Sequence, residues 1–263
     1  MKYTILGASG FIGQHLVETL RAKGIDVFAP GRTGPDIFRG NLGHVIYCIG
    51  VTADFRSKPF ETVDAHVCTL ADILRRCEFD SFLYLSSTRV YGRALNTFEN
   101  VGITVDPANA LDIYNISKLM GESLCLACNR KETRVARVAN VVGKRSAFSE
   151  DFVDSIVRDA KSGHVVLRTS LISAKDYIRI DDVVDLLTEI SKRGASKIYN
   201  VASGRQISHA DWMARLAKAT GCGFDVVKDS PVSSFPNIDI SLIRAEFGFE
   251  ARDVFELLPA LIG

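Results

Sequence analysis

The chain has 263 residues, 47% hydrophobic and 24% charged, with 20 glycines, which is the composition of a globular protein able to bury a full core. Its 32 basic residues nearly cancel 31 acidic ones, so charge offers no case for nucleic acid or an anionic membrane as the main partner. No stretch approaches the roughly 20 apolar residues of a membrane span, and a glycine loop follows the first strand where a signal peptide needs a longer apolar run; a cytoplasmic protein with its six cysteines reduced is expected.

Residues 3–6 read as a buried strand, 7–13 as a glycine turn and 14–23 as an amphipathic helix, with Gly24 as its C-cap and a second strand over 25–29. A strand at 45–50, a helix at 63–76, a strand at 82–86, a helix at 112–131 and a strand at 134–142 follow. This alternation predicts an α/β fold, a doubly wound parallel sheet over residues 1–145. Beyond Gly143, helices at 150–161, 181–192 and 209–220 and short strands at 165–167, 198–201 and 224–227 predict a smaller, substrate-covering lobe. That lobe spans 146–263, with strands returning to the sheet. Ligands of such sheets bind at the carboxyl ends of the strands, where the glycine loop, Gly50, Ser86, Ser87 and Asn140 all fall.

Gly7-x-x-Gly10-x-x-Gly13 lies between a strand and a helix, the context in which a glycine motif gains meaning. Gly7 allows a tight turn, Gly10 lets backbone amides approach a pyrophosphate, and Gly13 permits close helix packing. A dinucleotide-binding Rossmann domain follows, with Ser9, Phe11 and Ile12 in the same loop and Ile49 and Gly50 at the end of the third strand. Tyr114-x-x-x-Lys118 places a phenol and an ammonium on one helical face. The lysine is expected to lower the phenol pKa from about 10, making Tyr114 a general acid/base. The spacing alone is common on surface helices; its weight comes from Ser86-Ser87, whose hydroxyls are expected to hold a substrate oxygen opposite the phenol. Cys125 and Cys128 form a C-x-x-C pair inside a continuous helical pattern with no second pair, and the five histidines lack ligand spacing; no metal site is expected.

The segments GASGFIG, LYLSSTRVYG, YNISKLMGE, RVANVVG, KDYIRIDDVV, YNVASGRQIS and IDISLIRAEFGFE together resemble the extended short-chain dehydrogenase/reductases of the NAD-dependent epimerase/dehydratase group. The resemblance implies that Ser87 orients the substrate, with Thr88 as its substitute, that Tyr114 is the proton donor or acceptor, and that Lys118 tunes Tyr114 and binds the nicotinamide ribose. It places Val138 near the nicotinamide and Asn140 near the sugar or nucleotide of the substrate. It also implies a homodimer through the helices at 63–76 and 112–131. Family dehydratases carry an acidic pair where this chain has Thr88 and Arg89, which argues against dehydration and against uronate decarboxylation. His66 stands at the family's asparagine position and is read first as a structural hydrogen-bonding group.

The second strand ends in Phe28-Ala29-Pro30-Gly31-Arg32, with no carboxylate for a ribose hydroxyl and a cation placed for a 2′-phosphate. NADP is favoured, with NAD the alternative, and 36–42 is short for the strand and helix usual there. Lys175 and Arg179 are candidates for a substrate diphosphate, and Asp181 or Asp182 for the N-cap of the next helix. The reading that results is an NAD(P)-dependent oxidoreductase acting on a sugar hydroxyl or ketone, a nucleotide-sugar 4-ketoreductase or epimerase. Two rivals stand beside it: a reductase of non-nucleotide ketones or aldehydes, and a non-catalytic dinucleotide-binding sensor or assembly protein.

Overall fold

The computed structural model describes residues 1–31, 40–52, 54–130, 132–145, 149 and 151–263. Lys2–Leu6 (β1), Phe11–Ala22 (α1) and Asp26–Phe28 (β2) form the opening unit. His44–Tyr47 (β3) leads to a helix in three pieces: Pro59–Val63 (α2), a π turn at Asp64–Cys68, and Thr69–Arg76 (α3). Ser81–Ser87 (β4), Ile113–Ala127 (α4) and Thr133–Val138 (β5) complete the first half. Asn140–Val142 (β6), Phe152–Lys161 (α5), His164–Leu167 (β7), Ala174–Arg179 (β8), Ile180–Arg193 (α6) and Ile198–Val201 (β9) come next. The chain closes with Gln206–Ser208 (β10), His209–Thr220 (α7), Gly223–Val226 (β11), Ser241–Phe247 (α8) and Leu258–Ile262 (α9).

Six strands form one parallel sheet in the order β2-β1-β3-β4-β5-β9. The chain leaves β1 for β2 on one side and returns to β3 on the other, so the crevice between their carboxyl ends is the switch point at which such sheets bind ligands. Strand side chains alternate, and both faces are covered. Tyr3, Ile5, Ile46, Leu83 and Ala136 pack under α1 and α6, whereas Val45, Tyr47, Phe82, Tyr84 and Val135 pack under α3 and α4. Burial on both faces explains the near-continuous apolar runs of these strands.

The second lobe has its own core, in which Tyr177, Trp212, Met213 and Leu216 meet Val153, Ile156, Val157, Val165, Leu167, Val254 and Leu258. It contains a three-stranded sheet in the order β10-β8-β6 and the parallel pair β11-β7. The expected single strand at 134–142 is divided. Ala139 donates its amide to Val201 in the large sheet, and from Asn140 the backbone pairs with β8. Helix α6 starts at Ile180 with Arg179 as its N-cap, so Asp181 and Asp182 lie in the first turn and neither caps it. No helix among the described residues is long and apolar enough to cross a membrane.

Candidate active site

A cleft of about 640 Å³ opens at the carboxyl ends of β1, β3, β4 and β5, between the large sheet and the second lobe. Its floor on the β1 side is the glycine loop, with Gly10, Phe11, Ile12 and Gly13 on the cleft wall. Gly7 has φ +86°, and a Cβ there would approach the backbone of Cys48 and Ile49 to 2.8 Å. A Cβ on Gly13 would overlap the Gly7 carbonyl oxygen. The loop therefore presses against the end of β3 and the start of α1, as a sequence with side chains at these two positions would prevent. Gly10 caps α1 without a side-chain hydrogen bond, which leaves first-turn amides for a ligand. Ser9 is exposed on the same loop, and Ile49 is half-buried beside exposed Gly50.

Ser87, at the end of β4, and Tyr114, in the first turn of α4, meet through their hydroxyls. The backbone amide of Arg89 donates to Ser87 Oγ at 3.2 Å and holds that side chain in place. Burial pushes the Tyr114 phenol above its ordinary value, and the Ser87 hydrogen bond and the Arg89 charge pull it partly back. This corrects the expected sign, because desolvation of the phenolate outweighs the nearby cations. Lys118 is 4% exposed; its Nζ donates to the Leu85 carbonyl at 2.9 Å and stands 6.0 Å from the Tyr114 ring centroid. Burial pushes Lys118 down to about 7, against the upward pull of Glu122. Beneath them, Glu122 accepts from Ser86 Oγ and forms a buried ion pair with Arg137 at 2.7 Å.

His66 sits in the π turn and is fully buried. Its Nε2 accepts from the Val51 amide at 3.3 Å and its Nδ1 faces Ser117 Oγ at 2.9 Å. Burial and the Lys118 charge push it down to about 2, so the ring is neutral and Nδ1 carries the proton it donates to Ser117. Ser117 in turn donates to the Tyr114 carbonyl at 2.9 Å. His66 thus ties the loop after β3 to the turn that bears the phenol, a structural task.

Val138 lies on the cleft wall, as do Thr88, Asn140 and Lys175. Asn140 Nδ2 donates to the Asp176 carbonyl at 2.8 Å. Arg179 is not on this wall; its guanidinium is held by Glu256 at 2.7 Å and Asp181 at 2.9 Å, so the diphosphate contact expected of it is withdrawn. Arg32 lies outside the described residues. Phe55, Arg56, Arg89, Arg145 and Phe235 also line the cleft, and the residue-type patterns gave them no role. Phe55 and Arg56 stand in a polar loop without periodicity, and only the cation at 89 in place of an acid hinted at a contact. Among the described residues no cluster of His, Cys, Asp and Glu is arranged to hold a metal ion.

Residues 36–202 match the NAD dependent epimerase/dehydratase family. The chain belongs to that family. It is 24% identical over 187 residues to UDP-glucuronic acid decarboxylase 4 of Arabidopsis thaliana, covering 59% of this chain and 42% of the relative. With dTDP-glucose 4,6-dehydratase of Streptomyces niveus it shares 23% over 222 residues, covering 81% and 63%. The chain therefore spans less than two thirds of the length of either family relative. Its fold is that of RMD from Pseudomonas aeruginosa, solved with NADPH, at a TM-score of 0.81 and 21% identity over 100% of this chain and 98% of the other.

Proposed function

We propose that this family member is an NAD(P)-dependent oxidoreductase acting on a hydroxyl or ketone of a nucleotide-linked sugar, with Tyr114 as its acid/base. The observation that carries this reading is the hydroxyl pair of Ser87 and Tyr114 inside the cleft, above a buried lysine. The glycine cradle, too tight for a side chain at Gly7 or Gly13, and the uncapped start of α1 suit a pyrophosphate. Gly10, Phe11, Ile12, Gly13, Gly50, Val138 and Lys118 would hold the dinucleotide, and Arg32 would favour NADPH over NADH. Lys175 is the diphosphate contact of the substrate.

A nicotinamide held in this cleft would supply or take up a hydride at the sugar carbon. Ser87 holds the substrate oxygen by a hydrogen bond, and Tyr114 gives a proton to that oxygen in reduction or removes it in oxidation. A phenol raised by burial is protonated at neutral pH, the form from which Tyr114 would give its proton in reduction; an epimerase would use the same group in both directions. Lys118, poised at about 7, stabilises the phenolate left behind.

Tyr114→Phe tests the reading. Turnover of a nucleotide 4-ketosugar should fall about 10²- to 10⁴-fold while NADPH binding holds; unchanged turnover would sink the assignment. Identifying the dinucleotide released on denaturation separates the two activities, since tightly retained NAD points to an epimerase and an empty site that prefers NADPH to a reductase.

A further inference from the structure

Arg56 and Arg89 converge on one buried ring. Each guanidinium carbon lies 4.8 Å from the centroid of Phe55, which is 1% exposed. Phe55 itself packs against Tyr114, with centroids 5.3 Å apart, and the Arg89 guanidinium is 5.4 Å from the Tyr114 centroid. Stacking on an aromatic face fixes a planar guanidinium while leaving its N–H groups free for a ligand. Lys175 stands on the wall of the same cleft, 5.6 Å from the ring of Phe235.

Three cations thus face one cavity, and among the described residues none of them has a carboxylate within ion-pair distance. The carboxylates on the cleft wall are engaged elsewhere. Asp151 and Asp154 are both held by Arg145, and Asp176 accepts from the amides of Ser203 and Gly204. Asp112, behind Arg89, is held by Arg93. Like charges gathered in a half-buried cleft repel one another, and an anionic ligand relieves that repulsion through charge-assisted hydrogen bonds. The Arg89 guanidinium carbon lies 5.4 Å from the Tyr114 ring centroid, so the guanidinium stands beside the ring that bears the candidate reacting hydroxyl.

We infer that Arg89 and Arg56, stacked on Phe55, form an anion-binding subsite beside Tyr114, and that the substrate carries a carboxylate or phosphate on the part of it that lies next to that phenol. This rests on Tyr114 being the reacting group, and it adds a requirement that Tyr114 and Ser87 do not impose. A neutral sugar would leave both guanidiniums uncompensated, which gives the site a means of rejecting it.

The test uses two matched pairs of probes. UDP-glucuronic acid and UDP-glucose differ only in a carboxylate against a hydroxymethyl group; glucose 6-phosphate and glucose differ in a phosphate and carry no nucleotide. Affinities are measured by titration calorimetry for the full chain and for Arg89→Gln, Arg89→Lys and Arg56→Gln. The anionic member of a pair should bind at least about tenfold more tightly than the neutral one. In Arg89→Gln that ratio should collapse to within about twofold, in Arg89→Lys it should partly return, and in exposed Arg56→Gln it should fall by a smaller factor. Unchanged NADPH affinity in each variant reports an intact fold. A preference seen in the UDP pair identifies the anion as a carboxylate. A preference seen only for glucose 6-phosphate identifies a phosphate, keeps the subsite and overturns the nucleotide-sugar reading. Equal binding of charged and neutral partners, or a ratio that survives both Arg89→Gln and Arg56→Gln, overturns the inference; so does an equal loss of both UDP sugars, which would assign Arg89 to the diphosphate.

Discussion

The two faces of the large sheet are built differently. Under α1 and α6 the contacts are mainly aliphatic, with Ile5, Ile46 and Leu83 meeting Leu16, Leu20, Val183 and Leu187, and Tyr3 adding a hydrogen bond of 3.4 Å to the Thr188 carbonyl of α6. Under α3 and α4 the rings of Tyr47, Phe82 and Tyr84 lie side by side, with neighbouring centroids 5.8 and 6.0 Å apart. The phenols of Tyr47 and Tyr84 reach the π turn and donate to the carbonyls of Ala65 and His66. From His66 the hydrogen bonds continue through Ser117 to the Tyr114 carbonyl. The first face relies mainly on shape, and the second adds the chain of hydrogen bonds that reaches the Tyr114 carbonyl. Tyr114 and Lys118 rise from the second, on α4, where hydrogen bonds fix an atom more narrowly than apolar contacts do.

Changes on each face should therefore have different signatures. Leu83→Ala, on the aliphatic face, should cost about 2–5 kcal/mol of stability in denaturant unfolding while the turnover of the remaining folded enzyme is kept. Gly121→Ala, on the other face, should lower turnover by more than its loss of stability accounts for. A Cβ at Gly121 would overlap the Tyr84 phenol and come within 2.8 Å of the His66 carbonyl, so α4 must shift. A displacement near 1 Å lowers turnover about a hundredfold, and steady-state kinetics beside a melting curve will show whether rate falls more than stability.

His66 gives the polar face a pH signature. Its folded pKa, about 2, lies below that of the unfolded chain, so the unfolded state binds the extra proton between these values. The stability concerned is present above the unfolded pKa of about 6.5 and is lost as pH falls below it. From pH 6.5 to 5 this amounts to about 2 kcal/mol, and His66→Gln should flatten that part of the stability curve. The smallest effect is expected of Tyr47→Phe, which keeps the ring and removes a hydrogen bond of 2.6 Å to Ala65. About 1 kcal/mol should be lost, and a loss of several would mean that the phenol anchors the whole π turn.

The aliphatic face was legible from the sequence because period-2 burial and helical periodicity are written in residue type. The glycine loop was legible for a related reason: only glycine tolerates the geometry at Gly7 and Gly13. Strand ends and helix spacing pointed to Ser86-Ser87, Tyr114 and Lys118 as neighbours, and the family resemblance chose Ser87 of the two serines. The π turn was not legible, since Asp64–Cys68 has no composition that separates it from ordinary helix. The sign of the Tyr114 shift was also out of reach, because it depends on how deeply the ring is buried and spacing reports only neighbours. Arg179 was misjudged because its two carboxylate partners are Asp181, two residues on, and Glu256, far away in sequence. Arg56 and Arg89 meet on Phe55 through a loop and a strand end that no periodicity connects.

The division of one extended segment at Ala139 has a consequence for the chain as a whole. Its first part, β5, belongs to the large sheet and its second, β6, to the small one, and α6 and β9 later cross back to cover and extend the large sheet. A fragment ending at Val142 would lack α6, one of the two helices over one face of its sheet, and the edge strand beside β5. A fragment beginning at Asn140 would carry that helix and strand with nothing to lie against. The two lobes are therefore stitched by the backbone rather than hung side by side, and a cleft formed between them keeps its walls in register without a linker to set their spacing.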